Sequence, residues 1–434
     1  MKMRVREHAR EIVRLGTPIV IAQLGTIVQS FADTIMVGQY GTGELSAAGF
    51  VNNVFNLALF FILGLSYSTT PVVGAYWGQG KRDEARRSLK ESNIVSIGGS
   101  LFIAMVLTLL YMNIDILDQP RELYPLIKPY FLTLLVSLPF MGWFNSCKQY
   151  MDATGDTRSP MWVMVGGNAI NVVGNYLLIF TFDLGLLGAG IATLVSRIIM
   201  AVWMAMLLRN ETSSLAISKS GVKKLAKMGL PLSVQLCLES CSFNICAIYM
   251  GWISAASLAA HQVMCAVAPL CFMIHYGIGA AAAVRISHFC GQNNIKEVRA
   301  TAFTAYGMTL TVGIVLTTMI ICLRQPIALA FTSDAEVLGI VMTLMLPFAV
   351  YQFGDCTQII FSNALRGIGK VKYMMLDAII AYILVSIPLS YVFGFVVSDS
   401  SPAGVWWGTP FGLTTAGVIF VTRFVKYTGM RTKN

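Results

Sequence analysis

A chain of 434 residues in which 56% are hydrophobic and only 12% charged is too apolar for a soluble domain, where about a quarter of residues carry charge. It is an integral membrane protein. A net charge of +10 would suggest nucleic acid in a soluble protein, but basic residues gathered beside apolar runs report membrane topology instead, and no nucleic-acid partner is expected.

Twelve apolar runs follow one another, at 12–37, 46–69, 93–112, 126–147, 161–181, 187–208, 229–252, 258–283, 301–323, 338–362, 374–396 and 404–425. Each is about the length needed to cross a bilayer as a helix, and none alternates polar with apolar as barrel strands do. The pattern predicts an all-α membrane protein with twelve transmembrane helices. Of the 31 Lys and Arg residues, Arg121, Lys128 and Arg324 fall on one side, Arg197 lies inside the sixth run, and the rest fall on the other side. The basic side is the cytoplasmic one, so both termini are expected there. Lys2, Arg4, Arg6 and Arg10 precede the first run without a small-residue cleavage site, so that run is read as a retained span.

The chain repeats internally. Gly16 and Pro18 match Gly229 and Pro231, Gly38 matches Gly251, Leu45 and Ala47 match Leu258 and Ala260, and Gly64 matches Gly277. Gly78, Gln79, Glu84 and Arg86 match Gly291, Gln292, Glu297 and Arg299. Every pair is separated by 213 residues (229 minus 16). Two six-helix lobes are therefore predicted, 1–208 and 229–434, joined by a cytoplasmic linker at 209–228 that carries Glu211, Thr212, Ser213 and Ser214 but no strong binding motif.

Polar groups inside the runs are the candidates for function, because a charge at membrane depth costs at least about 2.5 to 3.5 kcal/mol and usually faces a protein interior or an ion path. In the first run Thr26, Gln29, Ser30 and Asp33 recur at helical spacing. Asn168, Asn171 and Asn175 share a face of the fifth run, and Thr193 lies toward the outer end of the sixth. If helices 1, 5 and 6 meet, Asp33, Asn171, Asn175 and Thr193 form one carboxylate among neutral oxygens, a set suited to a hard monovalent cation such as sodium. Interhelical hydrogen bonding is the competing reading of the Asn and Thr residues. Arg197, one turn beyond Thr193, reads as structural, neutralised by an acid or by carbonyls. Asp183 and Asp377 read as boundary residues.

In the second half, Glu239 lies 12 residues beyond Lys227, His275 lies 10 before Arg285, and Asp355 lies 11 before Arg366. At about 1.5 Å per residue all three sit roughly 15 to 18 Å in, near the midplane. Gln235, Glu239, Ser242 and Cys246 line one stripe, and Tyr351, Asp355, Gln358 and Ser362 another. The two acids suit a proton or cation; His275 reads either as a packing histidine or as a proton or substrate contact. Met and aromatic residues such as Phe60, Phe61, Met141, Trp143, Phe144, Met264, Phe272 and Met273 are available to line an adaptable pocket.

Several chemistries have no support. The nine cysteines contain no CxxC pair and read as packing residues. Gly74, Gly80 and Lys81 imitate a Walker loop one residue too long, with Arg82 where Ser or Thr is required. No nucleophile elbow, HExxH motif or paired metal histidines suggest an enzyme. No cofactor is expected, and an ion gradient is the expected energy source.

Taken together, Gly16-Thr17-Pro18, Ala32-Asp33-Thr34-Ile35-Met36-Val37-Gly38, Gly78-Gln79, Ala153-Thr154-Gly155-Asp156-Thr157-Arg158, Gly188-Ala189-Gly190-Ile191-Ala192-Thr193 and Ala364-Leu365-Arg366-Gly367-Ile368-Gly369 resemble the multidrug and toxic compound extrusion (MATE) transporters, particularly the bacterial NorM-like branch. The resemblance spans essentially the whole chain. It implies a V-shaped pair of six-helix lobes in a bacterial inner membrane, acting as a monomer and exporting cationic or amphipathic drugs in exchange for sodium ions or protons. It also implies an N-lobe cation site at Asp33, Asn171, Asn175 and Thr193, and C-lobe coupling residues at Glu239, Tyr351 and Asp355. Asn175 departs from relatives that carry a second acid there, which weakens the case for purely proton-driven exchange. A lipid-linked precursor flippase of the wider superfamily is the alternative, and it would favour a strongly cationic cavity; a receptor or sensor would normally bring an added soluble domain.

Overall fold

Backbone amides have no water to bond in hydrocarbon, so apolar runs of this length satisfy them internally as helices. The computed structural model describes residues 5–117, 120–211 and 214–430; Lys2, Arg4, Thr212, Ser213 and Lys433 lie outside them. Eleven helices among the described residues are long and apolar enough to cross a membrane. They are α1 (Val5–Tyr40), α2 (Thr42–Gly78), α3 (Arg82–Met112), α4 (Arg121–Thr154), α5 (Arg158–Thr181), α6 (Gly185–Leu207), α7 (Lys219–Ile253), α8 (Ala255–Gly291), α9 (Ile295–Cys322), α10 (Ala335–Gly367) and α11 (Met374–Val397). The twelfth predicted run lies in α12 (Pro402–Met430), a helix of 29 residues. No strand occurs among the described residues.

The helices gather into two compact units, one of residues 21–233 and the other of residues 1–20 with 234–434. The division does not coincide with the linker at 209–228. It falls inside α1 and inside α7, at positions that are themselves 213 apart (233 minus 20). Pro18 and Pro231 lie inside these two helices, two residues before each boundary; a proline within a helix deletes one backbone hydrogen bond and weakens its continuity there. Each sequence half thus contributes the start of its leading helix to the other unit.

Within the unit of residues 21–233, the packing that holds the site comes from α2, α4 and α6. Val51, Phe55, Ile127, Phe131, Leu134 and Ala189 are buried together, and a second cluster joins Ala22, Phe144, Val163, Met200 and Ala201. Gly64 of α2 meets α7 so closely that a Cβ on it would lie 2.3 Å from Ser233 Cα. In the other unit the repeat-equivalent Gly277 of α8 meets α1, where a Cβ would lie 2.3 Å from Val20 Cγ2. The same crossing is built twice, once in each unit.

The unit of residues 1–20 and 234–434 buries Trp406, Tyr382, Phe348, Phe361, Phe420 and Phe424. Wide turns occupy Ile379–Ser386 and Val392–Val397 of α11, on either side of Pro388, which lacks an N–H to continue regular bonding. Asp377 lies at the expected boundary, in the first turn of α11, where it is fully buried and accepts from Arg423 Nη2 of α12 at 2.7 Å. Asp183 does sit in the turn between α5 and α6, in a left-handed conformation (φ 54°) with Tyr40 Oη donating to it over 2.9 Å.

Candidate functional site

In the unit of residues 21–233, the polar stripe of α1 faces the asparagine stripe of α5. Asn175 Nδ2 donates to Asp33 Oδ1 across 2.5 Å, and Gln29 Nε2 donates to Asp33 Oδ2 across 3.3 Å. Asn168 Nδ2 reaches Thr26 Oγ1 at 3.5 Å. Asn171, fully buried, completes the group. With its amide nitrogen turned to Asp33 Oδ1 at 2.9 Å, its oxygen faces Thr193 of α6 at 3.3 Å. The four residues expected to meet on helices 1, 5 and 6 are brought together. Asn175 Oδ1 is buried without a hydrogen-bond partner, an uncommon state for a strong acceptor.

Thr26, Gln29, Asp33, Asn168 and Thr193 of this group line a cavity of about 350 Å³, while Asn171 and Asn175 are not among its lining residues. Asp33 is the one carboxylate among its lining residues, and Arg197 is the one basic side chain. Arg197 differs from the sequence reading: no acid forms an ion pair with it among the described residues, and its Nη1 donates to the Ser137 hydroxyl at 2.7 Å. Apolar and aromatic side chains close the remainder, including Phe55, Tyr130, Met141, Phe144, Met164 and Met200. Met141 and Phe144 are the two residues from the expected apolar lining that reach this cavity; Phe60 is 37% exposed.

Sequence reasoning missed Asn52, Asn56 and Tyr130. All three line the cavity, and Tyr130 Oη donates to Asn52 Oδ1 at 3.1 Å. Two amides four residues apart inside the second apolar run were the available signal, since that spacing places them on one helix face.

In the other unit, α8 and α10 join His275 to Asp355, with Nδ1 3.1 Å from Oδ2. The imidazole is fully buried and Asp355 is 1% exposed. Cys356 Sγ lies 3.6 Å from His275 Nε2, 3.8 Å from Nδ1 and 3.6 Å from the Thr309 carbonyl. Glu239 of α7 belongs to a neighbouring group: Gln358 Nε2, one turn after Asp355, donates to Glu239 Oε2 and to Tyr382 Oη, each at 3.2 Å. Tyr351 stacks on Phe348, ring centroids 5.5 Å apart, and presents an edge contact to Phe243. The expected midplane residues thus resolve into a His275–Asp355 pair and a Glu239–Gln358–Tyr382 chain, with Tyr351 in an aromatic stack.

Comparison with known proteins agrees with this architecture. The sequence model of the MatE family matches residues 18–177 and again residues 231–392, two matches whose starts are 213 apart (231 minus 18). The structure is similar to a crystal structure of a MATE in complex with MaL6, with a TM-score of 0.89 at 21% identity over 98% of each chain. It is similar to an outward-facing multidrug resistance MATE transporter of the MOP superfamily, with a TM-score of 0.89 at 20% identity over 98% of this chain and 96% of the other. A MOP-superfamily transporter from Pyrococcus furiosus, for which a reversed polarity of the binding pocket has suggested a different function, gives 0.88 at 20% identity over 98% and 97%. These likenesses establish the fold, twelve membrane helices in two lobes, and the family match covers most of the chain without separating its branches. The chain belongs to the MatE family, the multi-pass MATE efflux transporters, which are transporters and not enzymes.

Proposed function

We propose that this protein is a secondary active exporter of cationic or amphipathic organic compounds, coupled to sodium ions or protons entering through the Asp33 site. The observation that carries the reading is Asp33 itself. It is the one acid lining a cavity of about 350 Å³ and is gripped by amides, not by a base. Amide donors orient a carboxylate without cancelling its charge, so it remains able to take a proton or a cation.

Asn171 adds a neutral amide donor to the same carboxylate, its nitrogen reaching Asp33 Oδ1 at 2.9 Å. Asn175 Oδ1, buried and unpartnered, and the Thr193 hydroxyl add neutral oxygens of the kind a hard cation prefers. In the other unit, Asp355 and Glu239, with Tyr351 beside them, are proposed as a second coupling group, and His275 as the group that shares or supplies its proton. A bacterial inner membrane with both termini cytoplasmic, and a monomeric transporter, complete the proposal.

A structure outward-facing in one relative and the family's exporter role together favour alternating access, in which the coupling ion and the transported compound have different affinities for the two states. A flippase for lipid-linked precursors would be served by a strongly basic cavity, and one acid facing one base does not supply it. The test is uptake of labelled organic cations into proteoliposomes under an imposed sodium gradient or, separately, a proton gradient. Transport driven by either and lost in Asp33→Asn supports the reading; transport indifferent to both gradients contradicts it.

A further inference from the structure

Arg197 is the feature of the cavity that cation export leaves unexplained. It lies inside α6, within a run long enough to span the membrane, where an arginine is costly and is ordinarily retained for a function. It forms no ion pair among the described residues, and Asp33, which lines the same cavity, acts on it only as a charge beyond contact. Its Nη1 donates to Ser137 Oγ at 2.7 Å, and that hydroxyl in turn donates to the Leu134 carbonyl at 2.6 Å, so Ser137 offers a neutral acceptor only. A guanidinium carries five N–H donors in a planar fork suited to a carboxylate. The side chain nevertheless lines the same cavity as Asp33, with no ion pair between the two.

A cavity lined by one acid and one base, with aromatic and Met side chains also in its lining, matches a ligand carrying both charges. Its volume of about 350 Å³ falls within the range of roughly 300 to 1,000 Å³ usual for drug-sized ligands. Tyr130, Phe144, Met141 and Met200 supply the adaptable apolar contact for a ring system.

We propose that Arg197 is a specificity-determining residue that binds the carboxylate of zwitterionic aromatic compounds, while their cationic group is held toward Asp33. The inference rests on the exporter reading only in taking this cavity as the chamber of the transported compound. A purely cationic compound meets Arg197 as a repulsive charge and binds less well.

The experiment compares a zwitterionic rhodamine dye, which bears a free carboxylate, with the methyl ester of the same dye. Binding of each to the purified full-length protein is measured by fluorescence polarisation, with the unmodified chain, Arg197→Gln and Arg197→Lys. The expected result is that the unmodified chain binds the zwitterion more tightly than the ester. Arg197→Gln should weaken the zwitterion roughly tenfold or more and tighten the ester. Arg197→Lys, which keeps the charge but loses the fork, should fall between. An ester bound as well as the zwitterion by the unmodified chain overturns the proposal, and needs no variant to fold. So does an equal loss of both dyes in Arg197→Gln, which marks a structural arginine. Because binding is read without a gradient, failure of ion coupling leaves this result intact, and failure of this result leaves ion coupling to its own test.

Discussion

Asn175 on α5 donates to Asp33 on α1 across 2.5 Å, so the carboxylate exposed to the cavity is tied to a helix distant in sequence by a neutral donor. The bond holds the acid in place while preserving its charge. Much of the expected behaviour follows from that choice of an amide over a second acid or a base.

Replacing Asp33 by Asn removes the one carboxylate from the cavity lining while keeping its shape. Gradient-coupled efflux is expected to fall by about tenfold or more, the loss of one charge-assisted contact. The check is the initial rate in proteoliposomes containing equal amounts of folded protein. A rate within twofold of the unmodified chain would remove Asp33 from the mechanism.

Asn175→Asp places a second carboxylate within hydrogen-bond distance of Asp33. Like charges so close are best relieved by sharing a proton. The ratio of proton-driven to sodium-driven transport is therefore expected to rise, measured as the two rates in one vesicle preparation. An unchanged ratio would separate Asn175 from ion choice.

His275→Ala strips the imidazole from Asp355, which is 1% exposed and has His275 Nδ1 at 3.1 Å. Removing one partner of a buried hydrogen bond leaves the other unsatisfied, at a cost of about 1 to 3 kcal/mol. Thermal unfolding in detergent should shift downward by several degrees. The cost of His275→Ala should be smaller in a chain that already carries Asp355→Leu, because the partner left unsatisfied is then absent.

The two repeat-equivalent glycines should respond unequally to Ala. A Cβ on Gly64 meets backbone at Ser233 Cα at 2.3 Å, whereas one on Gly277 meets a side-chain methyl, Val20 Cγ2, at 2.3 Å and backbone only at the Gly16 carbonyl oxygen, 3.2 Å away. Backbone cannot step aside as a side chain can, so Gly64→Ala is expected to destabilise by about 1 to 3 kcal/mol and Gly277→Ala by less. Paired unfolding midpoints decide it, and the reverse order would show that the α2–α7 crossing yields more readily than its counterpart.

The sequence made the helices legible because hydrocarbon demands long apolar runs, and it made the repeat legible because Gly16, Gly64 and their partners recur at one interval. Helical spacing also brought Asp33, Asn171, Asn175 and Thr193 onto faces able to meet. Periodicity does not say which helix a face will meet, however. The start of α1 packs with α8, and the start of α7 with α2, an exchange that 213-residue matching alone does not reveal. Depth counting placed Glu239, His275 and Asp355 at one level but carries no information on helix rotation, which pairs His275 with Asp355 and leaves Glu239 to Gln358. Arg197 was read as neutralised because burial of a charge normally requires it; the structure gives it a serine hydroxyl and an open face on a cavity.

The most direct test of the Asp33 site is the ion flux that a transported compound provokes. Proteoliposomes loaded with an organic cation would be placed in medium with sodium outside, or at lower external pH, and inward movement of sodium or protons recorded as the compound leaves. The account predicts an ion influx that begins with efflux, scales with it, and disappears in Asp33→Asn. Efflux at full rate with no accompanying ion movement, or an influx that survives Asp33→Asn, would contradict it.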